Sequence, residues 1–547
     1  MSPAGDDMSS QTHGTDVVDK AVEPGAEAVP PMSGPGSWTD PVLARTIPQL
    51  IHAAAATYGD KLAFRLAEGE GELREISFRG LDERSAELGR ALLARGAGKG
   101  SRIGFILTNG PDWVVTYAAI ARIGAVPVPI STMLRAAELV RVLRQSDVGG
   151  LIVQRRVLGH DMAERLVEAL PELAEPGAGD LRLPAAPYLR WICSSGEGLP
   201  PGIGTLSDLR ARAAEVDAAL LAEIEREVHP TDQAIEIYTS GSMAAPKGVR
   251  HLHGPIMFRA QWLSGRMVPS MSAQPEFPLV MPMFWVGGLM MGLMMTWVRG
   301  VTGLCTEATK INSRHALGSM LTPEDIAEML KSPPYWGLGM SETLAAYSWG
   351  DEVRAEGWPL AVPLDHWAPG YDIRVVDEDG REVADGETGE IQVRGYPVTP
   401  ALHKIERSAY FTADGFFHTG DLCTRDGARF HFVGRGGDMI KTAGANVSPA
   451  EVEDELQRLD GVHSAYVVGL PDAERGQLVV AALVAREGRT LDLAVIEQEM
   501  RRRLSGYKVP RAYVEIAREE VPMMHSNKVY RRELERLLAE RLGRAAA

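Results

Sequence analysis

The sequence predicts an α/β protein: a large N-terminal domain of doubly wound sheets, a small β-rich subdomain and a small α+β C-terminal domain. Three observations predict it. Strand and helix patterns alternate from Phe78 to Ile130, as in a parallel sheet covered on both faces. After Pro369 the pattern changes to short alternating strands, GYDIRVVDEDGREV and TGEIQVRG, with an Asp-Gly turn. After Gly434 it changes again, to a compact mixture of strands and capped helices. A chain of 547 residues is long enough for several cores.

Leu81, Ala86, Leu88, Leu92 and Leu93 fall at helical spacing, and Gly96 and Gly98 end that helix. Arg102 to Leu107 is a buried-strand candidate, followed by the turn Asn109-Gly110-Pro111. Trp113 to Ile123 is apolar enough for a helix, and Ala125 to Ile130 is a second strand. Leu170 to Pro187 is rich in Pro, Gly and Ala and reads as a surface insertion. Ile235 to Tyr238 is a strand that delivers a glycine- and hydroxyl-rich loop. In the C-terminal part, Ser448 and Pro449 suit the N-cap and first position of a helix. The strand AYVVGL follows, and a last helix starts near Tyr530. Residues 1–37, with Gly, Pro, Ser and acids but no apolar period, read as a disordered tail.

Composition excludes several function classes. The net charge of −16 argues against a nucleic-acid partner and against anionic membrane surfaces. Cys193, Cys305 and Cys423 lie far apart and form no metal spacing; they fit a reduced cytoplasmic compartment without disulfides. The longest apolar stretch, Val286 to Val298, is too short to span a bilayer.

The stretch Tyr238 to Gly248, YTSGSMAAPKG, carries the most chemistry. Small residues let backbone N–H groups approach a polyanion, hydroxyls donate to phosphate oxygens, and Lys247 supplies a point charge. The spacing is not the Walker pattern, since no GK[ST] closes it. Taken alone, the loop is equally a flexible surface turn. Its wording resembles the phosphate-binding signature of the adenylate-forming superfamily of acyl-CoA synthetases, aryl-CoA ligases, luciferases and peptide-synthetase adenylation domains. Met243 and Ala244 stand where that family has a Thr-Gly pair.

Further segments resemble the same family in the same order. MPMFWVGG, with Phe284, Trp285 and Gly288, is similar to an apolar element lining the acyl pocket; Trp285 replaces a histidine. It carries no aspartate for an amino group, which counts against an amino-acid substrate. The methionine-rich run after it suits either an apolar acid site or plain core. GLGMSETLAAY offers Ser341 for the α-phosphate and Glu342 for Mg²⁺, a hard cation that prefers oxygen. Leu338 stands where the family has an aromatic that stacks on adenine; Tyr335 and Trp336 are nearby. Gly288 and Gly339 are about half as far apart as in the family, and its adenine-contacting turn is not recognisable between them.

In FHTGDLCTRDG, Asp421 matches the carboxylate that accepts from both ribose hydroxyls, and Arg435 the arginine that reaches the ribose or phosphate. The resemblance implies a mobile C-terminal domain that turns about Gly437. It gives an N-terminal AMP-binding domain over 38–436 and a lid domain over 437–547. Lys441 and Gly444 match the loop presented for thioester formation. Lys528, in VPMMHSNKVYRREL, matches the lysine that bridges substrate carboxylate and α-phosphate.

The implied activity is an acid–CoA ligase. ATP with Mg²⁺ and a carboxylic acid, fatty or aromatic, give acyl-AMP and pyrophosphate, and CoA then displaces AMP. Thr239, Ser240, Gly241, Ser242 and Lys247 would cradle the β- and γ-phosphates. Two alternatives stand beside it: a non-catalytic adenylate or acyl binder, and an acyl-AMP ligase that loads a separate carrier protein. Homodimers are frequent in the family.

Overall fold

The chain divides into two units, residues 1–37 and 38–547. The computed structural model describes residues 43–544 apart from 69–70, 176–179, 240–245, 272–275, 280, 307–337, 349–360, 364–367, 378, 428, 436–439, 448, 523–528 and 530. The tail expected over 1–37 lies outside the described residues.

The N-terminal half is built as its periodicity predicts. Helix α1 (Ile47–Tyr58) starts at the N-cap Thr46, and strands β1 (Leu62–Glu68) and β2 (Glu75–Ser77) follow. Helix α2 (Phe78–Ala94) is capped by the Ser77 hydroxyl, which accepts from Gly80 N at 3.0 Å. It buries Phe78, Leu81, Leu88 and Leu92 along one stripe. Strand β3 (Arg102–Ile106) leads into α3 (Pro111–Arg122), which is buried almost all round and begins with Pro at its first position. Then come β4 (Val126–Pro129), α4 (Ala136–Ser146), β5 (Gly150–Val153), β6 (Trp191–Ser194) and β7 (Gly204–Thr205).

These strands form a parallel sheet in the order β4-β3-β5-β6-β7, the sheet expected from alternating strands and helices. The described part of Leu170 to Pro187 is largely exposed, as the surface-insertion reading expects, but it is anchored at four points. Leu170, Leu173, Leu183 and Ala186 are buried in the core beneath β5 and β6. Its Pro/Ala composition hid an apolar subset spaced too irregularly to show a period.

Strands β8 (Gln233–Thr239) and β9 (Lys247–Leu252) form an antiparallel hairpin packed beside β4. Helix α5 (His253–Met271) follows. Strands β10 (Glu276–Leu279) and β11 (Thr302–Thr306) join β1 and β2 in a second sheet, order β10-β11-β1-β2. Between them the methionine-rich run coils partly as π-helix, Leu289–Met294. Met290, Leu293, Met294 and Met295 are buried in the main core with Trp113 and Trp297.

The two-residue strands β12 (Gly339–Met340) and β13 (Ala345–Ala346) make a small hairpin. The β-rich subdomain is one antiparallel sheet of β14 (Ala361–Pro363), β15 (Tyr371–Val376), β16 (Thr388–Gly395), β17 (Phe417–Asp426) and β18 (Arg429–Arg435), in the order β14-β18-β17-β16-β15.

The C-terminal part contains β19 (Ile440–Thr442), β20 (Ala445–Val447), α6 (Pro449–Gln457), β21 (Val462–Asp472), β22 (Gly476–Ala485), α7 (Leu493–Arg503), β23 (Ala512–Glu515) and α8 (Arg531–Arg541). Its sheet has separate cores: one includes Val452 and Met500 from α6 and α7, the other Leu534 and Leu538 from α8. Among the described residues no helix is long and apolar enough to cross a membrane.

Candidate active site

The hairpin β8–β9 flanks the phosphate loop, the loop that the sequence predicts to hold phosphate. Thr239 pairs with Lys247 as the last rung of the ladder, so the two close the mouth of the loop between them. Lys247 Nζ lies 4.4 Å from the centre of the Tyr410 ring, a cation–π contact. Ser240, Gly241 and Ser242 lie outside the described residues.

A buried charged cluster supports this hairpin. Glu236 is fully buried; it accepts from Tyr238 Oη at 2.8 Å and from Gln233 Nε2 at 3.0 Å, and it pairs with Arg102. Arg250 and Arg102 both donate to His403 Nδ1, at 2.6 and 3.1 Å, while His403 Nε2 lies 3.2 Å from Asp147. Burial, with the two arginines, outweighs the nearby carboxylates and holds His403 below the usual imidazole range. A neutral ring that accepts at Nδ1 and donates from Nε2 satisfies all three partners. Gly248 leaves the space this cluster needs: a Cβ there would lie 2.8 Å from Tyr238 Oη and 2.9 Å from both Glu236 and His403.

The hairpin β12–β13 carries Ser341 and Glu342 at its tip. Glu342 is 8% exposed. Leu344 and Ala345 both take positive φ, 50° and 80°, which is strained for side-chain-bearing residues. Thr399 binds the tip to the phosphate-loop hairpin. Its N–H donates to the Glu342 carbonyl at 2.7 Å, and its hydroxyl lies 2.8 Å from the Arg250 carbonyl. Burial pushes His251 on β9 down to about 4, against a hydrogen bond to the Ser341 backbone.

Asp421 and Arg435 stand directly opposite each other on β17 and β18. Asp421 is 2% exposed, and its Oδ2 accepts from Tyr347 Oη at 2.9 Å. Tyr347 immediately follows β13, so one hydrogen bond joins Asp421 to the Ser341–Glu342 hairpin. Leu338 is buried in the core of the β-rich sheet rather than offered as a stacking face.

Phe284, Trp285 and Gly288 belong to a separate turn between β10 and the π-helix. Asn109 pins this turn: it donates to the Met281 carbonyl at 2.8 Å and accepts from Met283 N at 2.8 Å. A Cβ on Gly288 would fall 2.0 Å from the Pro282 carbonyl oxygen, so close backbone packing fixes that glycine. Phe284 is buried and Trp285 half-buried, with their rings edge-on at 5.7 Å.

Lys441 lies on β19 and Gly444 in the tight turn between β19 and β20, where Ala443 and Gly444 both have positive φ. Gly437 and Lys528 lie outside the described residues, as do Tyr335 and Trp336. The C-terminal sheet meets the N-terminal half through charge. Glu138, near the start of α4, accepts from Lys508 Nζ at 2.9 Å and from Ser505 Oγ at 2.7 Å. Lys508 also donates to Glu451 at 2.9 Å. Pro246, at the end of the phosphate loop, lines the same small cleft as Glu138 and Lys508.

Thr239, Lys247, Ser341, Glu342 and Asp421 are thus tied together through Thr399, Tyr347 and paired strands. Of the linking residues, Thr399 and His403 carry no sequence signal, and Asn109 and Tyr347 lie in a turn and a motif that do not reveal their linking role. No cluster of three or more His, Cys, Asp or Glu suited to a metal occurs among the described residues. Mg²⁺ bound here would depend on the Glu342 carboxylate together with phosphate oxygens, a usual arrangement for this ion.

Comparison with known proteins places the chain in a family. The AMP-binding enzyme family matches residues 51–330, and the AMP-binding enzyme C-terminal domain matches residues 451–528. A crotonobetaine/carnitine–CoA ligase of Salmonella typhimurium is 26% identical over 90% of this chain and 100% of its own length. An indoleacetate–CoA ligase of Aromatoleum aromaticum is 28% identical over 88% of this chain and 96% of its own. The fold is that of the o-succinylbenzoate CoA synthetase of Bacillus subtilis, with a TM-score of 0.67 at 21% identity, covering 89% of this chain and 98% of that one. The chain belongs to the AMP-binding enzyme family, among its ATP-dependent, AMP-forming acid–thiol ligases.

Proposed function

We propose that this enzyme activates a carboxylic acid with an apolar or aromatic tail, forming acyl-AMP and pyrophosphate, and then passes the acyl group to CoA. The observation that carries this reading is the hydrogen bond from Tyr347 to Asp421, which joins a ribose-binding carboxylate to the Ser341–Glu342 hairpin. The full-length relatives named as CoA ligases support CoA as the acceptor.

In this reading the acid's carboxylate oxygen attacks the α-phosphorus and pyrophosphate leaves. Thr239, Ser240, Gly241, Ser242 and Lys247 hold the β- and γ-phosphates, Ser341 orients the α-phosphate, and Asp421 with Arg435 holds the ribose. Lys528 offsets charge that grows on phosphorus. Glu342 would hold Mg²⁺, which neutralises phosphate charge when bound. The CoA sulfur then attacks the acyl carbon and AMP departs, with Lys441 and Gly444 beside the thiol. The domains divide at Gly437, and the chain works in the cytoplasm. Phe284, Trp285 and Gly288 line the acyl pocket. The indoleacetate–CoA ligase relative favours an aromatic acid over a fatty one.

The experiment is pyrophosphate release over short, long-chain and aromatic acids, with and without CoA, beside Lys528→Ala. Acid-dependent release that disappears in the variant is the expected result. ATP binding without release for any acid would replace this reading with a non-catalytic adenylate binder.

A further inference from the structure

The hairpin that carries Ser341 and Glu342 is an unusual piece of backbone. It reverses within a few residues through Leu344 at φ 50° and Ala345 at φ 80°, without a glycine at either position. Such a conformation persists where surrounding groups over-determine it. Two of those groups come from outside the hairpin and its neighbouring loops.

Arg259 on α5 is fully buried. Its Nη2 donates to the Ala346 carbonyl at 2.6 Å, just beyond the strained pair. The guanidinium lies 4.4 Å from the centre of the Trp262 ring and 5.2 Å from that of Tyr371. Tyr371 on β15 donates its hydroxyl to the Thr343 carbonyl, just before the strained pair. Burial raises the Tyr371 phenol, so it remains a donor at any working pH. The two side chains therefore hold the carbonyls on either side of Leu344 and Ala345, and they touch each other.

We propose that Arg259 and Tyr371 are positioning residues that clamp this hairpin, presenting Ser341 and Glu342 to the nucleotide's phosphates. The assignment rests on the reading of Ser341 and Glu342 given above. Neither clamp residue touches substrate in it. The clamp acts by denying the hairpin a relaxed geometry, in which Leu344 and Ala345 would return to negative φ and carry Glu342 away from the phosphates.

The test uses the full chain with Tyr371→Phe, Arg259→Met and Arg259→Lys. Affinities for MgATP and for adenosine are measured by titration calorimetry, with thermal midpoints recorded in parallel. Tyr371→Phe is expected to weaken MgATP about tenfold, the scale of one lost hydrogen bond. Adenosine, which reaches only the ribose and base contacts, should bind as before. Arg259→Met should behave likewise, and Arg259→Lys, which keeps a charge and a donor, should recover part of the loss. If ATP and adenosine weaken equally, or neither changes while the midpoint alone falls, the residues are only structural and the clamp is overturned. Turnover is scored separately: unaltered variants of an active wild type sink the clamp alone. A wild type that binds MgATP but releases no pyrophosphate sinks the ligase reading, while the affinity ratio still decides the clamp. A wild type that binds no ATP sinks both.

Discussion

Asp421 is buried to 2% exposure yet accepts from Tyr347, which makes it a fixed acceptor rather than a swinging surface carboxylate. Asp421→Asn keeps the volume and removes the charge. Charge-assisted hydrogen bonds contribute about 1.5–3 kcal/mol, so AMP affinity should fall at least about tenfold with little change in melting temperature. Equilibrium dialysis against AMP checks this, and unchanged affinity would remove Asp421 from the site. Gly248 is constrained from another side. Gly248→Ala places a methyl against Tyr238, Glu236 and His403, so the phosphate-loop hairpin should lose ATP binding and stability together. A crystal structure or melting curve of the variant indistinguishable from the parent would contradict this. At this scale the sequence was uneven as a guide. Asp421 and Lys247 were visible because short motifs fix their neighbours. Tyr347 sat inside a motif, but nothing local says that its hydroxyl crosses to a residue 74 positions away. Thr399 carried no signal, because a threonine that bonds two carbonyls reads like any loop threonine.

The elements themselves were more legible, since their periods follow from which face is buried. The strands around Arg102 and Val126 and the helices beside them appear within a residue or two of expectation. The buried anchors of the segment Leu170 to Pro187 were missed because its buried leucines follow no helix or strand period. How elements dock was not legible at all. Helix α4 holds the C-terminal sheet through Glu138, which also accepts from its own Arg135 N–H at 2.9 Å. Burial is the largest influence on Lys508 and opposes its charge, yet Tyr507, Glu138 and Glu451 raise its pKa overall. Lys508→Met leaves both carboxylates buried without their cation. Breaking a buried pair in this way costs about 3–5 kcal/mol, to be read from urea unfolding. A loss no larger than that of an exposed lysine would show that the cluster adds nothing to docking.

For the whole molecule, one half-buried and two buried histidines set a pH window. Burial opposes the charging of His52, but its pairing with Asp82 at 3.6 Å and Glu225 at 2.7 Å prevails and raises it to about 9. Its stabilisation is complete below its ordinary value of 6.5 and is lost as pH rises through about 9. Burial lowers His251 to about 4 and His253 to about 3. Their unfolded forms take up protons first, so the fold loses stability as pH falls below 6.5. Thermal midpoints should therefore decline on both sides of neutrality, and His52→Gln should flatten the alkaline side only. An alkaline decline that survives in that variant would rule out His52 as its source. Gly437→Pro tests the proposed hinge: it should impair transfer to CoA more than adenylation, and equal loss in both would dismiss the hinge. The order of lobes was legible because each changes its residue pattern; the contact between them involves pairs hundreds of positions apart and was not.

Pro246 lines the cleft where Glu138 meets Lys508, so the end of the phosphate loop and the seat of the C-terminal lobe share a wall. A shared wall is a route by which two equilibria can be coupled. If nucleotide shifts the seating of the lobe by some factor, seating must shift nucleotide affinity by that same factor. Where such coupling exists, weakening the Lys508 contact also changes ATP affinity, and the two measurements form a closed thermodynamic cycle.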